Sequence, residues 1–299
     1  MEVDPSPACF NDDFILDLSK RENREETKDC ECLTDKAWTI NSCTPLNNFS
    51  YADNDLKSYG SEITKLIRKE CHIKSAKCEF EVVPELAFTN KDNASVKITV
   101  YSTVNGRRKN LFLGYLVSRD SSVKPSHLTR LPVFLYNGSL KVAPVVCAAI
   151  QFLFGASMSE VKFSVTELFA FSLIYVLKAN HQDDEQDSDF TLKYILPQNF
   201  PDNTNIDYSI DPQNLKDLFK RMNERSRDET SITSSFYSDV LLHSYNNFEI
   251  NLDFLNLSTV SMGSNFRIAR KGKIKCRNSS VLNTMLKYLT LIINQVHQV

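Results

Sequence analysis

Phe266-Arg-Ile-Ala-Arg-Lys-Gly272-Lys-Ile-Lys-Cys-Arg277 alternates almost strictly between apolar and basic residues. Phe266, Ile268, Ile274 and Cys276 hold the even positions, and Arg267, Lys271, Lys273, Lys275 and Arg277 the odd ones. A period of two places such sets on opposite faces of a sheet, so the stretch reads as a two-stranded ribbon. A three-residue turn over Lys271–Lys273, centred on Gly272, keeps each set on one face, pairing Ile268 with Cys276 and Arg267 with Arg277. A two-residue turn would mix the faces. Leu257–Met262, just before, is strand-like. After it, Ser279 or Ser280 caps a helix carrying Leu282, Met285, Leu286, Leu289, Ile292, Ile293 and Val296 on one stripe, which its own sheet or another chain must cover.

Upstream, strands and helices interleave. Leu56, Tyr59, Ile63, Leu66 and Ile67 mark one face of a helix opened by Asp53 or Asn54. Residues 78–83 are extended and stop at Pro84. Val96, Ile98 and Val100 alternate with polar neighbours, and the polar turn 105–110 leads into Leu111–Val117, a hairpin whose tip carries Arg107, Arg108 and Lys109. Leu131–Tyr136 is a strand ended by Asn137-Gly138. Helices follow over 141–154, stopped by Gly155, and over 166–178. The run Val165–Leu177 falls short of the ~20 residues of a bilayer span and reads as a buried helix. Strands near 190–196 and 206–210 precede a helix begun by Asp211-Pro212 with Leu215, Leu218, Phe219 and Met222 on one face. A helix at 233–246 and a strand at 248–252 complete the series. Strand pairs mixed with helices predict an α+β fold, a largely antiparallel curved sheet flanked by helices, with the β-ribbon and terminal helix at the C-terminal end. Trp38, the only tryptophan, Phe49 and Leu131–Tyr136 are assigned to the core.

The 299 residues carry a net charge of −2 that conceals an asymmetry. Residues 1–35 hold eleven acidic and four basic side chains and read as a disordered acidic arm, with Phe14, Ile15, Leu16 and Leu18 as its one sticky motif. An acidic run from Asp183 to Asp189 reads as a solvated loop between two α+β domains, 36–180 and 190–299, the second continuous with the first or distinct from it. What is left is basic by about ten charges and suits an anionic partner. Eight cysteines without Cys-x-x-Cys spacing, and no visible secretory leader, read as reduced thiols of the cytosol or nucleus.

Seven glycines, no two closer than eight positions, leave no phosphate-cradling loop. The five histidines share no metal spacing, and a nucleophile elbow is absent. No cofactor, metal or small-molecule substrate is expected. Two readings of the basic ribbon face stand. Like charges crowded on one face are relieved by a polyanion, whose phosphates need no base reading. Equally, a solvated lysine face discourages edge aggregation. A strand at 257–262 or 266–269 with an open edge would extend a partner's sheet.

Lys36-Ala-Trp-Thr, Thr44-Pro-Leu-x-x-Phe49-Ser-Tyr51 and Leu56-Lys57-x-Tyr59 resemble the opening of the centromere protein L family. Leu131-Pro-Val-Phe-Leu-Tyr-Asn-Gly138 is similar to its central signature, and Gly272-Lys-Ile-Lys275 before Leu286-Lys-Tyr-Leu289 to its end. The resemblance implies a nuclear, non-enzymatic subunit of the constitutive centromere-associated network of the inner kinetochore. Such a subunit pairs with centromere protein N through the C-terminal sheet and forms a basic groove over centromeric DNA beside the nucleosome. It meets other network subunits and centromere protein C, and serves chromosome segregation in mitosis. Carried over by position, the partner surface is Leu257, Val260, Phe266, Ile268 and Ile274, and the DNA-facing charges include Lys273 and Lys275. Arg267, Lys271, Arg277, Arg107, Arg108 and Lys109 join them on charge alone. The rivals are a protein–protein adaptor without DNA contact and an enzyme with dispersed catalytic residues.

Overall fold

A computed structural model of the chain describes residues 14–15, 30–87, 92–118, 128–179, 188–196, 204–225 and 232–296. Leu16, Leu18 and the acidic positions 183–187 lie outside them. In chain order the elements are β1 (Trp38–Cys43), β2 (Leu46–Asn47), α1 (Asp53–Glu70), β3 (Ala76–Val83), β4 (Ser95–Val104), β5 (Arg107–Val117), β6 (Leu128–Thr129), β7 (Val133–Gly138), α2 (Val142–Phe154) and β8 (Met158–Glu160). There follow α3 (Val165–Ala179), β9 (Phe190–Ile195), β10 (Asn205–Ile210), α4 (Pro212–Arg225), α5 (Ile232–Phe248), β11 (Asn256–Met262), β12 (Phe266–Ala269), β13 (Lys273–Cys276) and α6 (Ser279–Val296). The fold is α+β, and every strand register is antiparallel. No helix among the described residues is long and apolar enough to cross a membrane.

The chain forms two compact units, one of residues 163–271 with Phe14 and Ile15, the other of residues 30–162 and 272–296. The first has a sheet in the order β10-β9-β11-β12, on which α3 packs against β11 and β12 while α5 packs against α3 and α4. Leu168, Phe169, Phe171, Leu173 and Ile174 of α3 are fully buried, so the apolar run is core, as its length predicts. Asp211 opens α4, its Oδ1 accepting from the Gln213 and Asn214 amides, both at 3.0 Å. Leu215 and Leu218 point inward, whereas the side chains of Phe219 and Met222 are outside the described set. The strand expected at 248–252 does not form. The helical hydrogen bonding of α5 carries on to Phe248, and residues 252–254 make a 3-10 turn capped by the Asn251 side chain.

In the second unit the order is β13-β1-β7-β5-β4-β3, with β8 also on β1 and β2 paired to β6. One sheet face is closed by α1 and α2 around Phe112, Phe134, Ile63 and Ile150. Trp38, Leu135 and Val133 point to the other face, since they alternate with the Thr39, Phe134 and Tyr136 set, and α6 packs on β13 and β7. Of the predicted stripe of α6, Leu282, Met285, Leu286, Leu289 and Ile293 are all at 2% exposure or less, Ile292 is half-buried, and the side chain of Val296 lies outside the described set. Its cap is Asn278, whose Oδ1 accepts from the Val281 amide at 3.0 Å. Ser279, expected to cap, instead accepts the Cys30 amide at 2.8 Å.

That bond belongs to a second departure. Order begins ahead of Trp38: Cys30 and Leu33 are buried, residues 31–33 form a 3-10 turn, and Trp38 Nε1 donates to Leu33 O at 2.7 Å. In the other unit Ile15 is wholly buried. The arm is polar on average, but three apolar side chains suffice to anchor parts of it, a cost in chain entropy that burying each one offsets.

Helix α1 also closes an edge. Gly60 stands so near β3 that an added Cβ would lie 2.6 Å from Cys78 O. One turn on, Thr64 Oγ1 accepts the Cys78 amide at 2.8 Å, and Arg68 Nε donates to Ala76 O at 3.1 Å. Residues spaced by four share one helix face, so α1 itself satisfies outward backbone groups of β3.

Candidate functional site

The ribbon's alternation survives in three dimensions, within each unit. On β13, Ile274 and Cys276 are buried, Lys273 is exposed and Lys275 half-exposed. Register sets Ile274 beside Trp38 and Lys273 beside Thr39, which in turn faces Tyr136. On β12, Phe266 and Ile268 are buried and Arg267, opposite Ser261, is exposed. The turn falls one residue earlier than expected, over residues 270–272, so that Lys273 already belongs to β13. Gly272 is what fixes this turn. Its φ is +62°, its carbonyl accepts the Ile40 amide at 2.8 Å, and a Cβ there would lie 2.3 Å from Val161 O.

Among the described residues no carboxylate lies within ion-pair range of Arg267, Lys271, Lys273 or Lys275. Arg277 differs, its Nε donating to Asp35 Oδ1 at 3.0 Å. Arg108 differs as well. It lies over the Tyr101 ring at 3.5 Å and donates to Glu79 Oε2 at 2.9 Å, while Tyr101 Oη donates to Glu79 Oε1 at 2.5 Å. The hydrogen bond from Tyr101, with the guanidinium beside it, holds the Glu79 carboxyl below its ordinary range. Arg107, Arg108 and Lys109 are not a loose tip. Only Asn105 and Gly106 turn, both at positive φ as a two-residue primed hairpin demands, and β5 starts at Arg107.

Leu257, Val260, Phe266, Ile268 and Ile274, the residues expected to face a partner, are all buried in this chain, each at 2% exposure or less. Val260 and Ile268 are paired across β11 and β12, and Phe266 stacks on Tyr175 at 4.9 Å. A side chain already covered by its own core offers no face to another chain, so these five pack the interior. Nor is residues 257–262 an open edge, because β11 is hydrogen-bonded to β9 on one side and β12 on the other.

One end strand of this unit's sheet is β10. Exposed apolar side chains concentrate in one stretch of the chain. Among the described residues, five of the nine exposed large hydrophobic side chains fall between 242 and 254: Leu242, Tyr245, Phe248, Ile250 and Phe254. Phe248 reaches β10 by an edge contact with Tyr208 at 5.9 Å, and Ile195, also exposed, ends β9. Sequence reasoning passed over this patch. Its signal was there: α5 carries Tyr237, Leu241, Leu242, Tyr245 and Phe248 in addition to the buried Ile232, Phe236 and Val240, more than one face can hold.

Nucleophiles fare differently. Burial pushes the Cys43, Cys78 and Cys276 thiols up to about 12 and Cys147 to about 11, which leaves them protonated and unreactive at neutral pH. His243 Nδ1 is hydrogen-bonded to Tyr208 Oη; burial lowers the imidazole and raises the phenol to about 12. No group of histidine, cysteine and carboxylate side chains among the described residues is arranged to hold a metal ion.

What these surfaces describe is an α+β protein whose distinctive groups lie on the outside, as unpaired lysines and exposed aromatics. The sequence profile of the Centromere protein L family matches residues 32–295. The chain is 27% identical to Centromere protein L of Gallus gallus over 287 residues, and 24% identical to that of Xenopus tropicalis over 287 residues. In both cases the match spans 88% of this chain and 80% of the relative. The chain belongs to the centromere protein L family. It is thus one of a family named for the centromere.

Proposed function

We propose that this chain is a non-enzymatic subunit of the centromere-associated network in the nucleus, pairing with centromere protein N and touching the DNA backbone. Other network subunits and centromere protein C would gather on the pair at the centromeric nucleosome, and the assembly would serve chromosome segregation in mitosis. The observation that carries the reading is the exposed apolar group Leu242, Tyr245, Phe248, Ile250 and Phe254, of which Phe248 touches Tyr208 of the end strand β10. Exposed aromatic side chains next to an end strand suit addition of a partner's strand, with main-chain bonds for attachment and those side chains for fit. The group lies within the unit of residues 163–271.

Mixing the chain with centromere protein N and measuring affinity by calorimetry tests the pairing. Tyr245→Glu with Phe248→Glu should weaken the complex by roughly 10- to 100-fold, the usual consequence of losing aromatic anchors. Both side chains are exposed, so the melting temperature of the free chain should stay put. Unchanged affinity would remove the patch from the interface.

For DNA the carriers are Lys273 and Lys275, with Arg267 and Lys271, because their charge is not spent inside the protein. Reversing Lys273 and Lys275 to glutamate should reduce the salt slope of binding to duplex DNA by about two, one counterion release per phosphate contact. An unaltered slope would leave the adaptor without DNA contact as the better reading, and these lysines as a solvated face.

A further inference from the structure

The second unit carries an apolar groove that neither the pairing surface nor the lysines use. It runs between α1 and α2, has a volume of about 510 Å3, and is lined by Leu66, Val145, Ala148, Phe152 and Leu153. Helix α2 contains no charged residue. One side of it, Val142, Val146, Ile150 and Phe154, is buried. The opposite side, Pro144, Ala148 and Phe152 at intervals of four, is exposed, Phe152 to 84%. A helix that is apolar all round is ordinarily covered all round. Charge in the groove is confined to the α1 rim, where Glu62, Lys65 and Glu70 follow one another; Glu62 pairs with Lys65 at 2.6 Å and Glu70 with the adjacent Lys69 at 3.4 Å, all four side chains staying about half or more exposed to a partner.

We infer that this groove receives an amphipathic helix of a partner protein, its apolar stripe on α2 and a basic–acidic–basic flank along Glu62, Lys65 and Glu70. An added strand does not suit the place, because Thr64 and Arg68 of α1 already bind the neighbouring backbone of β3. A second copy of this chain does not suit it either. Presenting α2 to the groove of another copy would set an uncharged helix against Glu62, Lys65 and Glu70 and match none of them. A helix lying between two helices meets both conditions, in the manner of helix-in-groove recognition. This inference does not depend on the pairing or DNA reading, since it uses other residues.

The test titrates the full chain into two fluorescent 18-residue helical peptides with the same leucine stripe. One bears a Lys–Glu–Lys flank at helical spacing, the other Glu–Lys–Glu. The first should bind saturably with one peptide per chain, at least about tenfold tighter than the second at low salt, and Phe152→Glu should abolish most of that binding. Phe152 is exposed, so the variant should melt with the wild type. Absence of saturable binding, equal affinity for both flanks, or indifference to Phe152→Glu would each overturn the inference. So would a dimer of the chain in solution that Phe152→Glu turns into a monomer, which would make the occupant a second copy.

Discussion

Gly272→Ala is expected to destabilise the second unit by at least about 3 kcal/mol, the sum of a left-handed backbone penalty of about 1–2 kcal/mol and a backbone clash. The added methyl would sit 2.3 Å from Val161 O and 3.2 Å from Ile40 O. Neither oxygen can retreat cheaply. Ile40 O accepts the Val161 amide at 3.2 Å, and Gly272 itself holds the Ile40 amide, so a shift of one strand breaks the bond to the next. Melting followed by circular dichroism should show a transition lower by roughly 6–12 °C, at the few degrees per kcal/mol of a unit this size. A loss below 1 kcal/mol would mean that Gly272 is tolerated rather than required. Because Lys273 follows directly, the same substitution should misplace that lysine. The charge reversals of Lys273 and Lys275 are therefore the cleaner probe of DNA contact.

Trp38→Ala should cost about 3–5 kcal/mol, the range for emptying the site of a buried large aromatic. The ring is buried, meets Tyr115 edge-on at 5.5 Å, and donates its indole N–H to Leu33 O. Trp38→Phe keeps most of the volume but leaves the Leu33 carbonyl without that donor, which costs about 1–3 kcal/mol. Comparing the two variants by urea denaturation separates packing from hydrogen bonding. The alanine variant should also release residues 30–35, exposing the Cys30 thiol to a labelling reagent and freeing Asp35 from Arg277. Equal costs for the two variants would show that the cavity contributes nothing. An unreactive Cys30 in the alanine variant would show that the 30–35 turn holds without Trp38.

Much of this molecule is readable along the chain. Gly155 at φ +57° ends α2, Asp211-Pro212 opens α4, and Pro84 stops β3, each because a single residue's backbone chemistry decides the local geometry. Errors collect where two local signals compete. Both Ser279 and Asn278 are able to cap α6; Asn278 does so while Ser279 binds Cys30, a residue 249 positions away. The length of the 105–110 turn was overdrawn because its polar residues look like loop, although Asn-Gly alone suffices and a charged side chain is at home on an exposed strand.

The candidate site divides in the same way. Periodicity alone determined which residues of the ribbon point inward and which outward, since a strand's side chains must alternate whatever surrounds them. Only the tertiary structure decided what each face meets. It put Phe266, Ile268 and Ile274 into this chain's core, and tied Arg277 to Asp35 and Arg108 to Glu79. It also closed both sides of β11 and made β10 an end strand, and it left Phe248 and Phe254 exposed. Burial, ion pairing and the choice of edge depend on residues far apart in the chain, and no local pattern encodes which distant neighbour arrives.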